Sequence, residues 1–209
     1  MFVPDLYRPP ERAWCVDLIR AGPLATLVTG TAGGLFATHV PVIAAEPEPG
    51  TLRLLGHLNR ANPHFAALTT GEPSVLIFTG PGGYVSPTWY PTAGPAAPTW
   101  NFAAVHARGP VRVLGDDEAR HVVRSTAAVL EERFGAGWDT GSAHDHFDRI
   151  LPGVGAFEMD VVELDGMFKL GQEKDRATRA EVAAALRARE RAGIAELMER
   201  WDAEEGRTG

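Results

Sequence analysis

The feature that most constrains the fold of this chain is a succession of short apolar segments separated by tight turns. Segments 24–29 and 35–44 are rich in branched and small apolar residues, and only the glycine-rich stretch 30–34 separates them. Many strands joined by tight turns favour an antiparallel barrel with helices packed outside it. The sequence therefore predicts a mainly β fold with outer helices, and its further strands are expected at 51–58, 74–79, 84–86, 99–114, 156–164 and 167–170.

Two outer helices are predicted, one before the first strand and one between two of the later strands. Residues 8–21 carry apolar side chains at helical spacing and meet Gly22 as a stop. A longer helix is expected over 116–134, because two aspartates lie at its positive end and Gly135 closes it. One apolar stripe runs along that helix, formed by Val123, Thr126, Leu130 and Phe134. The stretch 137–155 that follows has the composition of a loop.

Capping residues locate two more helices. Asn62 followed by Pro63 predicts the start of a short helix over 64–68, with the amide as cap and the proline at the first helical position. Near the C-terminus, Thr178 is followed three residues later by Glu181, which is the spacing of a capping box. The sequence from there to about residue 201 is expected to form one helix, or two that break near Gly193.

Composition limits the class of protein. With 209 residues and 44% hydrophobic residues, the chain can bury one substantial core. No apolar run is long enough to span a bilayer, and the first residues lack the order of a signal peptide. The single cysteine, Cys15, cannot form an intrachain disulfide, so a cytoplasmic protein is expected. A net charge of -7 disfavours a broad basic face for nucleic acid.

Two similar tripeptides are candidates for a ligand surface. Pro87-Thr88-Trp89 and Pro98-Thr99-Trp100 flank a turn, 91–95, that is rich in proline and glycine. Indole rings beside short polar side chains suit a flat heteroaromatic ligand. The alternative is a hairpin whose tryptophans fill the interior of the protein.

A second candidate patch begins where a leucine-rich strand runs into His57, Arg60 and Asn62. Cationic and amide groups next to a helix start can hold a phosphate, although these residues could equally be solvated turn residues. In the earlier segment ATHVP, Thr38 and Val40 share one strand face and His39 occupies the other, where it could be an ordinary hydrogen-bonded histidine. Pro41 indicates that this strand is an edge or ends there, which leaves backbone groups free for a ligand.

Two other clusters have simpler explanations. His144, His146 and Asp148 are metal-ligand types, but only two imidazoles are near in sequence, so a solvated loop is expected and no metal site is predicted. The arginines between 176 and 191 alternate with glutamates, which is typical of a salt-bridged solvent face.

Four separated motifs in the same order resemble the PaiB-type family, whose members are described as FMN-binding negative transcriptional regulators. They are ATHVP, GHLNRANPH, the SPTWY and PTWNF pair, and FKLGQEK. The resemblance implies a split β-barrel over residues 1–175, a helical extension over 176–209, and FMN as cofactor at the interface of a homodimer.

The resemblance also implies roles for individual residues. It lays Thr38, His39 and Val40 along the flavin and uses Pro41 to close that wall. It turns three residues towards the phosphate and ribityl chain: His57, Arg60 and Asn62. From the strand beyond the hairpin it adds Thr99, Trp100 and Asn101. Lys169 and Gln172 correspond to a late segment that reaches the site from the same chain or the partner subunit, although the charged residues after Gln172 depart from the family pattern.

Three functions follow as hypotheses. The first is a flavin-binding regulator, and the second is a flavin-dependent oxidoreductase on the same scaffold. The third is a module that binds flavin or haem, with His39, His57 or His106 as a haem ligand. No helix-turn-helix signature is found, so direct DNA binding is expected to be weak or absent at physiological salt.

Overall fold

The computed structural model describes residues 1–91 and 94–208. Thr92 and Ala93, in the predicted turn between the two tripeptides, lie outside the described residues. The strands are β1 (Leu24–Thr31), β2 (Gly34–Ala45), β3 (Arg53–Asn59), β4 (Ser74–Val85), β5 (Thr99–Gly109), β6 (Val111–Val113), β7 (Val154–Asp160) and β8 (Glu163–Lys169). The helices are α1 (Arg12–Ala21), α2 (Pro63–Leu68), α3 (Asp116–Phe134), α4 (His144–Ile150), α5 (Arg176–Arg187) and α6 (Ala192–Thr208).

The strands form one sheet in the order β6-β7-β3-β2-β1-β4-β5-β8. The β1–β2, β1–β4, β2–β3, β3–β7 and β6–β7 pairs are antiparallel. This confirms the predicted mainly β architecture with helices outside the sheet. Among the described residues, no helix is long and apolar enough to cross a membrane.

The strand β2 changes partner at Pro41. It pairs with β1 along Gly34–Pro41 and with β3 along Val42–Ala45. Because proline has no N–H, the change of partner costs no ladder hydrogen bond at this position. The prediction that the strand ends at the proline is wrong. The alternative prediction, that the strand is an edge strand, is correct for Gly34–Pro41. Along that part of β2 no strand of the described chain pairs on the side opposite β1.

The chain divides into two compact units, each assembled from separated segments. The first unit contains Val16–Phe78 and His106–Leu164. The second unit contains Met1–Cys15, Thr79–Val105 and Asp165–Gly209, so it takes in the helices α5 and α6. The predicted boundary between residues 175 and 176 stays a prediction.

The long helix α3 has the predicted bounds and ends at Gly135, whose N–H donates to the Glu131 carbonyl. The predicted stripe is confirmed at Val123 and Thr126, which are buried, and is wrong at Phe134, which is 56% exposed. The residues that do pack inwards are Ala119, Val122, Val123 and Thr126.

Several other boundaries differ from the predictions. The two strands expected at 74–79 and 84–86 are the single strand β4, and the segment 137–155 contains α4 and short 3₁₀ turns rather than a plain loop. The C-terminal helix is broken, as one prediction had it, into α5 and α6. Its expected cap is wrong: Asp175 caps α5 by accepting from the Thr178 N–H at 2.7 Å, and Thr178 is buried inside the first turn.

Candidate functional site

The first unit contains a cavity of about 560 Å³ beside the place where β2 changes partner. Side chains from β2 and β3 line it together with the segment that leads into β7. The lining residues are Thr38, His39, Pro41, His57, Leu58, Asn59, Asn62, Ile150, Gly153 and Val154. Two motifs that are distant in sequence, ATHVP and GHLNRANPH, therefore contribute to the same cavity.

His57 is the least satisfied polar residue of this wall. Its Nδ1 atom is buried and has no hydrogen-bond partner within the protein. Burial also lowers the pKa of the imidazole below its ordinary value, so the ring is neutral at neutral pH. A buried nitrogen left without a partner costs about 1–3 kcal/mol.

Asn62 performs the predicted capping role at the same wall. Its side-chain oxygen accepts from the His64 N–H at 3.0 Å, and Pro63 occupies the first position of α2. The cap therefore occupies the helix N–H group that was expected to face a phosphate. What Asn62 still offers is its amide Nδ2, which donates to Thr38 Oγ1 at 3.4 Å.

Arg60 lies next to the cavity but does not line it. Its Nε donates to the Val154 carbonyl at 3.0 Å, and Nη2 pairs with Asp116 at 2.9 Å. Both partners of this ion pair are exposed to solvent, at 37% for Arg60 and 71% for Asp116. Ion pairs this exposed stabilise a protein by at most about 1 kcal/mol, so an anion can displace the carboxylate at small cost.

The neighbouring residues His39 and Val40 of ATHVP alternate between an exposed and a buried position, as expected. His39 is exposed, and its Nδ1 shares a hydrogen bond of 3.0 Å with Thr26 Oγ1. This contact is also what the simpler interpretation of His39 requires. Val40 is almost completely buried and does not line the cavity, whereas Thr38 and Pro41 do.

Behind Thr38 lies a chain of buried polar groups that the sequence did not reveal. Thr38 Oγ1 is 2.8 Å from His64 Nδ1, and His64 Nε2 is 2.8 Å from Thr29 Oγ1. Thr29 Oγ1 is in turn 2.8 Å from Ser74 Oγ. His64 is fully buried and stacks on Phe36, with ring centroids 5.4 Å apart. The only sequence signal that could have identified His64 as part of the site is its position at the end of the GHLNRANPH motif.

The other predicted site residues belong to the second unit. Lys169 donates through Nζ to Thr99 Oγ1. Asn101 is buried, and its Oδ1 has no hydrogen-bond partner. Gln172 bonds with its own segment, accepting from the Leu170 N–H at 2.7 Å and donating to the Phe168 carbonyl at 2.6 Å.

The two tryptophans of the tripeptides do not fill the interior. Trp100 is 55% exposed, and its Nε1 lies so close to Gly82 that a Cβ there would be 2.9 Å away. Trp89 is half-buried, and the Arg189 guanidinium lies 4.5 Å from its ring centre. The core alternative is therefore wrong for Trp100, which keeps an aromatic face open to solvent.

The clusters set aside in the sequence are also accounted for. In residues 1–91 and 94–208 no three side chains of His, Cys, Asp or Glu are grouped to hold a metal ion. Asp148 accepts from Arg120 and Arg124, at 3.0 Å each. Of the C-terminal arginines, Arg179 pairs with Asp202 and Arg187 with Glu199.

Comparison with known proteins decides the family. The family model described as "Putative FMN-binding domain" matches residues 1–163. The chain belongs to this FMN-binding family. It is 25% identical over 207 residues to the Bacillus subtilis protein named "Protease synthase and sporulation protein PAI 2", covering 95% of this chain and 97% of that protein. The PaiB-type resemblance is thereby confirmed.

Solved structures agree on the fold. The FAD and heme binding protein from Mycobacterium smegmatis matches with a TM-score of 0.57 at 18% identity, over 85% of this chain and 80% of that one. The flavocytochrome Anf3 from Azotobacter vinelandii matches with a TM-score of 0.56 at 16% identity, over 83% and 75%. The predicted split β-barrel is confirmed, and FMN is the cofactor that the family assigns to this chain.

The residues of the first-unit cavity fit such a ligand. Thr38, His57 and Asn62 give the wall polar groups, while Leu58, Ile150 and Val154 give it apolar surface. A cofactor site combines apolar surface with a few placed polar groups in this way.

Proposed function

We propose that the chain binds FMN in the first-unit cavity and that His57, Thr38 and Asn62 contact the polar part of the ligand. The observation that carries this proposal is the buried, unpartnered Nδ1 of His57. A neutral imidazole nitrogen can pair with a hydroxyl or imide group, and FMN carries both kinds. Pairing would supply the hydrogen bond that the isolated chain lacks at this atom.

The geometry of β2 supports the same placement. Along Gly34–Pro41 one edge of the strand is unpaired in the described chain, so backbone N–H and C=O groups remain available there. His39 and Pro41 line the cavity beside this edge, and Val40 packs behind them. Flavin contacts by this segment therefore remain part of the proposal.

Arg60 is proposed as the cation for the phosphate. Its contact with the Val154 carbonyl holds the side chain beside a residue of the cavity wall. Contacts of Thr99, Trp100, Asn101, Lys169 and Gln172 with FMN are proposed from the resemblance alone.

FMN supplies redox chemistry when it is bound. The described residues of the cavity can bind and orient a ligand, and Thr38 also shares a hydrogen bond with the buried His64. We favour a regulator that responds to FMN because PaiB-type proteins are described as FMN-binding negative transcriptional regulators, and a flavin-dependent oxidoreductase is the second candidate function.

Direct contact with DNA is not part of this proposal, because the net charge is -7 and the arginines Arg179 and Arg187 are occupied by carboxylates. We also propose a cytoplasmic location, because the single cysteine, Cys15, cannot form an intrachain disulfide.

FMN binding can be tested by absorption and by titration. Freshly purified protein should show flavin bands, and His57→Leu should weaken FMN about two- to tenfold, the effect of one lost hydrogen bond. His121→Leu is the matched control, because His121 is an exposed histidine on α3 and should leave the affinity unchanged. A haem spectrum, or equal affinities for wild type and His57→Leu, would refute the placement.

The homodimer is proposed on the exposed apolar residues near the free edge. Leu35 is 80% exposed and Leu24 is 66% exposed, although both belong to the paired strands β1 and β2. A two-fold interface would cover such a surface with the same surface of a second copy. Light scattering should give the mass of two chains, and Leu35→Glu should shift it towards one. A single-chain mass for the wild type at all concentrations would refute the dimer, and the proposed location of FMN in its interface with it.

A further inference from the structure

The buried polar chain behind the cavity ends at Ser74, whose hydroxyl also lies near a backbone carbonyl. Ser74 Oγ donates to the Glu72 carbonyl at 3.3 Å, and this bond uses the one proton that the serine hydroxyl has. When Ser74 makes this bond, the Thr29 hydroxyl is the donor in the 2.8 Å contact between the two side chains.

The assignment of donors and acceptors continues from Thr29 through His64 to the cavity wall. In that arrangement Thr29 Oγ1 accepts from His64, and His64 carries its proton on Nε2. The Nδ1 atom of His64 is then an acceptor, so the Thr38 hydroxyl donates to it. Thr38 Oγ1 also accepts from Asn62 Nδ2, which leaves one lone pair for the cavity.

We propose that His64 is a positioning residue that makes Thr38 a hydrogen-bond acceptor towards the ligand. The cavity thereby selects a ligand that presents an N–H or O–H at this position, which in FMN is the imide or a ribityl hydroxyl. This inference rests on the proposed function, because it requires that FMN occupies the first-unit cavity.

The surroundings of His64 support a fixed orientation. The ring is fully buried, stacks on Phe36 and is held at both nitrogens by threonine hydroxyls. Burial also lowers the pKa of this imidazole, so that the neutral form with a single proton prevails at neutral pH.

The direction of the hydrogen bonds made by His64 can be reversed by a substitution that does not change any residue of the cavity wall. Thr29→Val removes the acceptor for His64 Nε2–H and keeps the size of the side chain. The Nδ1–H tautomer then becomes favoured, because it can donate to Thr38 Oγ1. In that variant the Thr38 proton is directed away from His64 and towards the cavity, so Thr38 becomes a donor.

The nitrogen shifts of His64 in an NMR spectrum report this tautomer directly and do not depend on FMN. Wild type should show Nε2–H, and Thr29→Val should show Nδ1–H. Thr126→Val is the matched control, since Thr126 is a buried threonine of the same unit whose Oγ1 has no partner. An Nδ1–H tautomer in the wild type would overturn the proposal, whether or not the variant folds.

FMN titration then tests the consequence for the ligand. Thr29→Val should weaken FMN about two- to tenfold, as expected for one lost hydrogen bond, and Thr126→Val should leave it unchanged. A changed tautomer with unchanged FMN affinity would overturn the positioning role. If His57→Leu also left the affinity unchanged, the cavity itself would be the wrong place for FMN, so the two failures are distinguishable.

Discussion

Arg60→Ala should weaken FMN binding by about ten- to a hundredfold and leave riboflavin binding almost unchanged. The difference arises because riboflavin lacks the phosphate, and a hydrogen bond to a charged group contributes about 1.5–3 kcal/mol. The exposed pair with Asp116 is weak enough for a phosphate to replace the carboxylate. Titrating both ligands against both proteins, by the quenching of flavin fluorescence, measures the effect.

Two further variants make this comparison specific. Arg53→Ala removes the arginine that begins β3, the strand after which Arg60 follows. The Arg53 Nε pairs with Asp160 at 2.7 Å, and this variant should leave both affinities unchanged. Trp100→Ala should weaken both ligands alike if the indole contacts the ring, which the two share. Equal losses for FMN and riboflavin in Arg60→Ala would contradict a phosphate contact.

Gly56→Ala should lower the free energy of unfolding by about 1–3 kcal/mol, the usual cost of overpacking a core. Gly56 lies opposite Phe157 in the β3–β7 ladder, and an added Cβ would be 2.5 Å from Cζ of that ring. Phe157 is fully buried, so the ring has little room to move away. Urea denaturation of the variant and the wild type gives the difference.

A double substitution identifies the cause of that loss. Phe157→Leu removes the ring and should itself destabilise the protein, but adding Gly56→Ala to it should cost less than in the wild type. Gly33→Ala is the control, because its nearest neighbour would be 3.7 Å away and the site is an exposed turn. Fully additive costs would show that the ring is not what excludes the methyl group.

Local signals made the helices predictable, and the same kind of signal caused one error. Asn62 and Pro63 fixed the start of α2 because the cap bond spans two residues. Asp175 and Thr178 can both act as caps, and the sequence could not rank them. Thr178 is buried in the structure, and Asp175 accepts both its N–H and its hydroxyl. Burial decided between them, and burial depends on the whole fold.

The cavity wall was predictable only where its residues share a motif. Thr38, His57 and Asn62 belong to segments whose resemblance to the family implied contact with the cofactor. The residues behind the wall are far apart in sequence. His64 is 35 residues from its hydrogen-bond partner Thr29, and Thr29 is 45 residues from Ser74. The partner of Arg60 is 56 positions away. No periodicity encodes such pairs, because they depend on how β1, β2 and β4 are placed in the sheet.

The interleaving of the two units sets an order of events during synthesis. All segments of the first unit have been made once residue 164 has left the ribosome. The second unit must wait, because Trp14 donates to the carboxylate of Glu204, 190 positions later. Its earliest residues therefore remain without their partners until translation is almost finished. A ribosome-bound chain whose residue 164 has just left the ribosome should already contain the polar wall with His57 and Thr38, while the apolar face of Trp14 still needs protection from aggregation.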